Sequence, residues 1–336
     1  MLLAGDIGGT KTDLGIFRPG GPHGNDPEPV DGTFRTFSSA GFPEPESLLR
    51  HYMSAVGVKV EKAVFAVAGP VEGGQARITN LHSVLSEDQL RKALDIPHVR
   101  LINDLEATAY AVPFLAEREK HTLNEGRPSV KGTIAVIAPG TGLGESFLTW
   151  DGSCCHAHAT EGSHVDFAPT SALEVKLLRH FLSVYEHVSY ERVCSGMGIP
   201  NIYSFLKDAG EAQEPAWLTR LFSESGDPAA VIVNNALDSE NRCEICRLTL
   251  DMFVSILGAE AGNLALKVMS RGGVYLGGGI PPRITGILGN GLFMKSFRAK
   301  GRMSDIVSEI PVHIILNPHV TIYGAARFGL DLLSTS

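Results

Sequence analysis

The sequence predicts an α/β fold with mixed sheets, and three observations carry that expectation. Short apolar runs alternate with amphipathic segments of helical period along the 336-residue chain. Hydrophobic residues make up 43% of it, enough for a sizeable core, while 37 glycines and 19 prolines supply many tight turns. A unit of buried strand, Gly-and-Thr turn and second strand stands near the start and recurs around Gly140–Gly144, a weak internal duplication. At this length about two domains, or one large two-lobed unit, are expected.

The elements follow in order. Residues 2–6 read as a buried strand and residues 13–17 as a second, joined through Gly8-Gly9-Thr10. Residues 18–31 are rich in Gly and Pro and poor in apolar side chains, so an exposed loop or long hairpin tip is expected there. Leu48, Leu49, Tyr52, Met53 and Val56 recur at helical spacing and predict an amphipathic helix over 45–56. Residues 63–68 form a buried strand ending in Gly69-Pro70. Ser86 with Gln89 has the form of a capping box and opens a helix to about residue 94. A strand at 99–102 ends at Asn103-Asp104, and a helix over 105–115 follows. In the second half, strands are expected at 133–138 and 146–150, with a Gly-rich turn between them. Residues 172–267 are mostly helical by pattern. A strand at 273–276 leads into Gly277-Gly278-Gly279, a last strand covers 312–316, and a helix over 321–333 closes the chain.

Composition bounds the partners. A formal net charge of -8 and a pI near 5.8 argue against nucleic acid or an anionic membrane, because phosphate backbones need clustered Lys and Arg. A local anion site built from backbone N–H groups remains compatible with an acidic chain. Five cysteines, an odd count, make no disulfide framework and fit a reducing compartment. Residues 1–5 are apolar but short and meet Asp6 at once, which predicts a strand rather than a signal peptide. No apolar run approaches the roughly 18 residues of a membrane span. A cytoplasmic protein is expected.

Asp6-Ile7-Gly8-Gly9-Thr10-Lys11-Thr12 carries the first chemical signal. Glycine lets the backbone approach a ligand, and the exposed N–H groups of such a turn form an anion-binding concavity. Thr10 and Thr12 have hydroxyls that can donate to phosphate oxygens, and Asp6 can hold Mg²⁺ through water. An ordinary hairpin that needs glycines for its turn is the alternative. Ala138-Pro139-Gly140-Thr141-Gly142-Leu143-Gly144 is the second turn. Its dinucleotide-type spacing requires a helix to start inside the glycine run, but a β-like stretch follows, so a Rossmann site is rejected. No Gly-x-x-x-x-Gly-Lys-Ser/Thr string occurs, which excludes a P-loop. The third run, Gly272 to Pro281, joins a strand to a helix; its glycines admit an adenine or a phosphate, or merely form a tight turn.

Polar residues complete the picture. Asn103-Asp104 ends an apolar strand, where open α/β sheets bind ligands, and a carboxylate there can take the proton of an attacking hydroxyl. Helix capping is the competing role, and the two can coexist. Glu161-Gly162-Ser163-His164 lies in a polar loop and offers two acceptors for sugar hydroxyls, or is a plain surface loop. Glu191 stands near the start of a helix expected from about Tyr190, where it can accept further hydroxyls or offset the helix dipole. Cys154-Cys155-His156-Ala157-His158 is dense in ligand types, but adjacent cysteines do not match the usual Cys-x₂₋₄-Cys pairs. Cys243-x-x-Cys246 has that spacing without a second pair. No structural zinc is expected at either place.

Taken in order, the motifs resemble bacterial ATP-dependent glucokinases of the hexokinase–actin superfamily. The resemblance covers nearly the whole chain: Gly5-Asp6-Ile7-Gly8-Gly9-Thr10; Ala68-Gly69-Pro70-Val71 with Thr79-Asn80-Leu81; Ile102-Asn103-Asp104; Pro139 to Gly144; Glu161-Gly162-Ser163-His164-Val165-Asp166-Phe167-Ala168-Pro169; Tyr190-Glu191-Arg192-Val193 with Ser195-Gly196; and Gly272 to Leu276. It implies a two-lobed actin-like (ribonuclease H-like) ATPase fold with a cleft between the lobes. The small lobe would be 1–112 plus 318–336 and the large lobe 113–317, with added helices and a homodimer. The implied reaction is Mg-ATP-dependent phosphorylation of glucose at its 6-hydroxyl, with lobe closure excluding water. Asp104 would be the base. Asn103, Gly142, Glu161, His164 and Glu191 would bind the sugar. Gly5, Asp6, Ile7, Gly8, Gly9, Thr10 and Thr12 would meet the ATP phosphates, with Gly140 and Thr141 opposite, and Gly277 and Gly278 would approach the nucleoside.

The related repressor–kinase group usually carries a Cys-x-Cys-Gly-x-x-Gly-Cys zinc motif, and this chain has none. Three departures bear on sugar choice. Ser163 stands where the family usually has a second Gly, His82-Ser83 replaces a frequent Pro-Trp pair, and Cys194 and Met197 flank Ser195-Gly196. A kinase for another hexose, such as mannose or glucosamine, is one alternative. A sugar sensor on the same fold is another, though a sensor need not keep Asp104 or the phosphate turns. A DNA-binding regulator is disfavoured by the lack of a helix-turn-helix segment and a basic patch.

Overall fold

The computed structural model describes residues 1–9, 11–20, 26–42, 44–78 and 83–334. The chain divides into two compact units. One comprises Met1–Ala116, Ser146–Ala159 and Asn317–Ser336, and the other Glu117–Glu145 and Thr160–Leu316.

The first unit is built on a twisted mixed sheet. Strands β1 (Leu2–Ile7) and β2 (Lys11–Gly20) form an antiparallel hairpin in which Leu3 faces Ile16 and Asp6 faces Asp13. Strands β3 (Asp26–Pro29) and β4 (Arg35–Ser38) both pair with β2. On its other side β1 runs parallel to β5 (Lys62–Val67). Strands β6 (Val71–Glu72), β7 (Gln75–Ile78) and β8 (Ser83–Ser86) make a small sheet of their own. Strand β9 (His98–Asn103) then returns parallel to β5, giving the order β3-β2-β1-β5-β9.

Strand side chains alternate between faces, and here both faces are buried. Leu3, Ile16 and Phe65 pack with Leu48, Leu49 and Tyr52 of the helix Pro45–Val56 and with Leu90 of the helix Glu87–Leu94. Leu2, Ala4 and Val64 pack instead with Ala107 of the helix Asp104–Ala111 and with Ile322, Ala325 and Ala326 of the helix Val320–Ser334. A sheet covered on both sides has near-continuous apolar strands, which is why these strands stand out in the sequence.

The second sheet contains β10 (Lys120–Asn124), β11 (Ile134–Pro139), β12 (Leu143–Trp150), β13 (Cys155–Thr160), β14 (Gly273–Leu276) and β15 (Val312–Ile315), in the order β10-β15-β14-β11-β12-β13. Strands β11, β14 and β15 are parallel, and β10 is antiparallel to β15. The helix Glu244–Val268 is buried along most of its length, and Ile256, Leu257 and Ala261 pack in one core with Ala135, Ile137, Val274 and Ile314. Strand orders β2-β1-β5-β9 and β12-β11-β14-β15 are equivalent, so the duplication read from the glycine turns extends to the sheets that carry them.

Several expectations are sharpened or corrected. Of the two readings of residues 18–31 the hairpin is the one formed: β2 continues to Gly20 and pairs with β3, while residues 21–25 lie outside the described residues. Ser86 stands at the N-cap with an extended backbone but makes no side-chain capping bond. The Glu87 carboxylate is occupied instead by the Leu101 N–H at 3.0 Å, tying the helix to β9. The helix after Asn103 stops at Ala111 and tightens into a 3₁₀ turn, Val112–Phe114, where Pro113 cannot continue the ladder. Glu191 belongs to a 3₁₀ turn, Tyr190–Arg192, and the α-helix begins only at Gly198. Among the described residues no helix is long and apolar enough to cross a membrane.

Candidate active site

At the carboxyl end of β9, Asn103 caps the following helix. Its Oδ1 accepts from the N–H groups of Leu105 at 2.9 Å and Glu106 at 3.1 Å, and its Nδ2 donates to the Gly69 carbonyl at 3.0 Å. One amide therefore ties the strand end, the helix start and the Gly69 turn together. Asp104 is the first helical residue, and its Oδ1 accepts from the Leu105 N–H at 2.9 Å. The capping role thus falls to Asn103, while the Asp104 carboxylate stays partly exposed at the strand end.

The first glycine turn gathers carboxylates. The Gly8 N–H donates to the Lys11 carbonyl at 3.0 Å, closing the β1–β2 hairpin. Asp6 sits at the end of β1. Burial, then the charges of Asp104 and Asp13, push its carboxyl up to about 7, with Lys11 pulling the other way. Asp13 is buried and accepts from Thr36 at 2.6 Å and Lys11 at 3.1 Å, with His319 at 3.2 Å. Burial works to raise its pKa, but those hydrogen bonds outweigh it and hold the carboxyl below its ordinary range. Thr12 is buried and its hydroxyl lies 3.3 Å from that of Ser39, which donates to the Gly8 carbonyl at 2.7 Å. Thr12 and Ser39 thus brace the turn. Gly5 and Ile7 belong to the strand: Ile7 is in the core, and a Cβ on Gly5 would press on Leu14 and Phe65 at 2.8 Å. Gly9 remains in the turn, partly exposed. Thr10 lies outside the described residues, as do Thr79, Asn80, Leu81 and His82.

The second turn is lined by backbone. The Gly140 N–H donates to the Gly142 carbonyl at 2.8 Å, and the Gly196 N–H donates to the Gly140 carbonyl at 2.7 Å. The third glycine run folds against it. The Gly277 N–H donates to the Ile137 carbonyl at 2.9 Å, and Gly278, at φ 79°, packs so closely that a Cβ would strike the Pro139 carbonyl. Only glycine takes that conformation without strain. Beside these turns lies a cavity of about 570 Å³ lined by Gly140, Thr141, Met197, Val233, Ile280 and Arg283, among others. Its walls are largely apolar, with polar groups from Thr141, Asp227 and Arg283, which is the composition of a small-molecule site.

The sugar-loop candidates form a cluster in the second unit. Gly142 and Glu191 are in contact: the Glu191 carboxylate accepts from the Leu143 N–H at 3.0 Å and occupies the space a Gly142 Cβ would need. Glu161 and His164 pair at 3.7 Å across the 3₁₀ turn Gly162–His164, and both are exposed. Ser163 is buried, and its backbone lies outside the left-handed region. It therefore takes the place of the usual glycine without strain.

Several residues here escape sequence reasoning. Ser39, Thr36 and His319 reach the first turn from segments distant in sequence and carry no motif. Glu145 on β12 is buried, and its Oε2 fills the space a Gly162 Cβ would take, beneath the Glu161–His164 turn. Burial, then the Glu260 carboxylate, push its carboxyl up to about 8, with Lys267 opposing. Its Oε1 has no hydrogen-bond partner among the described residues. Glu260 itself accepts from Asn263 at 2.9 Å and Lys267 at 3.4 Å.

Comparison with known proteins adds an independent line. The family model described as Glucokinase matches residues 3–331. A curated relative from Nostoc punctiforme, named glucokinase, is 39% identical over 340 aligned residues, covering 97% of this chain and 98% of its own. The solved glucokinase of an Antarctic psychrotroph is 32% identical, with a TM-score of 0.84 and 98% of each chain covered. The glucokinase of Balamuthia mandrillaris, solved in complex with glucose, shares the fold at a TM-score of 0.78 and 21% identity, covering 98% of this chain and 93% of its own.

Proposed function

The chain belongs to the glucokinase family, and on that premise we infer that it transfers the γ-phosphoryl group of ATP to the 6-hydroxyl of glucose, with Asp104 as the general base. The family match over residues 3–331 carries the reaction. The placement of Asp104, first in a helix at the end of a parallel strand, supports its role.

In this mechanism the glucose 6-hydroxyl oxygen attacks the γ-phosphorus while Asp104 accepts its proton. The bond from that phosphorus to the bridging oxygen breaks, and ADP leaves. General-base action of this kind is worth about 10²–10⁴ in rate. Asn103 fixes the strand end that presents Asp104, and its spare amide hydrogen is available to a sugar hydroxyl. Glu161, His164 and Glu191 accept or donate to the remaining hydroxyls, and Gly142 contributes by leaving room for the Glu191 carboxylate. The Thr141 hydroxyl and those turn N–H groups not committed to the chain, as Gly8 and Gly140 are, meet the phosphates. The cavity beside Met197 and Ile280 takes the adenosine, with Gly279 of the third glycine run in its wall, next in the chain to Gly277 and Gly278.

A magnesium ion fits the first turn. Oxygen ligands suit a hard cation, and the carboxyl of Asp6, raised by burial and two neighbouring carboxylates, is a group that a cation would relieve. Asp6 would hold the ion directly or through water, and the ion would offset phosphate charge. A cytoplasmic homodimer completes the proposal.

The test is ADP release by purified protein with Mg-ATP and each of glucose, mannose, fructose and glucosamine, beside a sugar-free control. Strong turnover with glucose and little without sugar is expected. Turnover only with another hexose would move the substrate, and saturable glucose binding without turnover would favour a sensor.

A further inference from the structure

The tip of the β12–β13 hairpin is outside the machinery described above. Asp151-Gly152-Ser153-Cys154-Cys155-His156 turns there, closed by the Asp151 N–H donating to the Cys154 carbonyl at 3.2 Å, with Gly152 at φ 106°. The fold does something the spacing of the cysteines conceals. It pairs Cys154 with Asp151 and His156 rather than with Cys155.

Three ligand atoms of different chemistry converge at this tip. The Cys154 Sγ lies 3.3 Å from the His156 Nε2 and 3.6 Å from the Asp151 Oδ2, and those last two are 2.7 Å apart. A tetrahedral zinc with ordinary bond lengths separates such ligand atoms by roughly 3.3–3.6 Å. Two edges of the triangle already match, and the third needs only a small outward swing of exposed side chains. The other carboxylate oxygen is committed elsewhere: Asp151 Oδ1 accepts from the Ser153 N–H at 2.7 Å, the Ser153 hydroxyl at 2.8 Å and the Cys154 N–H at 2.9 Å. Bonds of that kind orient a first ligand and leave Oδ2 facing the thiol and the imidazole. His158, the next histidine, is otherwise engaged, with its Nε2 2.9 Å from the Thr149 hydroxyl and its ring stacked on Phe147.

We propose that Asp151, Cys154 and His156 form a surface site for one late-transition-metal divalent ion, of which zinc is the representative. Thiolate and imidazole select such an ion over magnesium, so the site does not compete with the cation of the phosphoryl transfer. Three protein ligands leave a fourth position open to water or another small ligand. On binding, the Cys154 thiol gives its proton to solvent and the thiolate sulfur bonds the metal.

The probe is Co²⁺ titrated into tag-free, EDTA-stripped full-length protein in excess Mg²⁺, read by the thiolate-to-cobalt absorption band, with Zn²⁺ as competitor. One equivalent of Co²⁺ is expected to raise the band and one of Zn²⁺ to displace it. Cys154→Ser is expected to abolish the band. Asp151→Asn and His156→Ala should each weaken binding by at least the roughly 10–100-fold that loss of an outer-shell partner costs. Cys155→Ser and His158→Ala should leave it unchanged. The ligands are exposed, and circular dichroism melts serve to show each variant folded. No band in the wild type, a band surviving in Cys154→Ser, or a band lost equally in Cys155→Ser overturns the proposal.

Discussion

The two glycine turns occupy equivalent places in their sheets, yet they are lined differently. The β1–β2 turn is ringed by side-chain carboxyls, with Asp6, Asp13 and Asp104 close enough that Asp6 is driven up to about 7. The turn between β11 and β12 meets one carboxylate, that of Glu191, which accepts from the Leu143 N–H. Its other described neighbours include peptide groups and glycines, with Gly278 held against Pro139 and Gly196 bonded to Gly140. One topology thus yields a turn crowded by carboxyls and a turn held mainly by backbone bonds. The second unit keeps its own raised carboxyl, Glu145, away from that second turn and beneath the Glu161–His164 turn.

If burial governs both raised carboxyls, pH should reveal it, most strongly at Glu145. Its folded pKa of about 8 exceeds the ordinary 4.5, so the folded state holds a proton that the unfolded chain has released. That stability is present below 4.5 and is lost as pH rises toward about 8. Urea unfolding of wild type against Glu145→Gln should show the wild type losing about 1.4 kcal/mol relative to the variant per pH unit in that window. A pH-independent difference would break the account of Glu145.

Asp6 follows the same sign from 3.8 to about 7, with a smaller span. Since proton and cation compete there, the apparent affinity for Mg²⁺ in turnover assays should improve as pH rises through about 7 and then level off. Asp6→Asn should weaken Mg²⁺ activation and flatten that profile. An unchanged profile would remove Asp6 from the cation site.

On the backbone-lined side the sensitive position is Gly278. Gly278→Ala places a side chain in left-handed backbone, costing about 1–3 kcal/mol, and the collision with Pro139 adds to it. Unfolding should register that loss, and the KM for ATP should rise while the KM for glucose holds. The smallest effect is expected at Ser39→Ala. Removing its bond to Gly8 should cost about 1 kcal/mol of stability, with a rise in KM for ATP if the brace shapes the first turn.

Legibility in the sequence followed burial. Strands β1, β5, β9, β11 and β14 were readable because a sheet covered on both faces demands unbroken apolar runs. Strand β13, Cys-His-Ala-His-Ala-Thr, was not, because a polar hairpin arm has no such run. The very short β6 was equally silent. Asn103-Asp104 and the glycine turns were legible because strand ends and tight turns restrict residue type. The braces were not: Ser39 meets Thr12 across 27 positions, and His319 meets Asp13 across 306. Ser86 shows the opposite failure, a capping pattern present in sequence whose bond is not made.

The most direct measurement pairs glucose binding by calorimetry with steady-state turnover for wild type and Asp104→Asn. The expected result is a glucose Kd unchanged within about twofold and a kcat lowered by about 10²–10⁴. Near-normal turnover in that variant would contradict the assignment of Asp104 as the base.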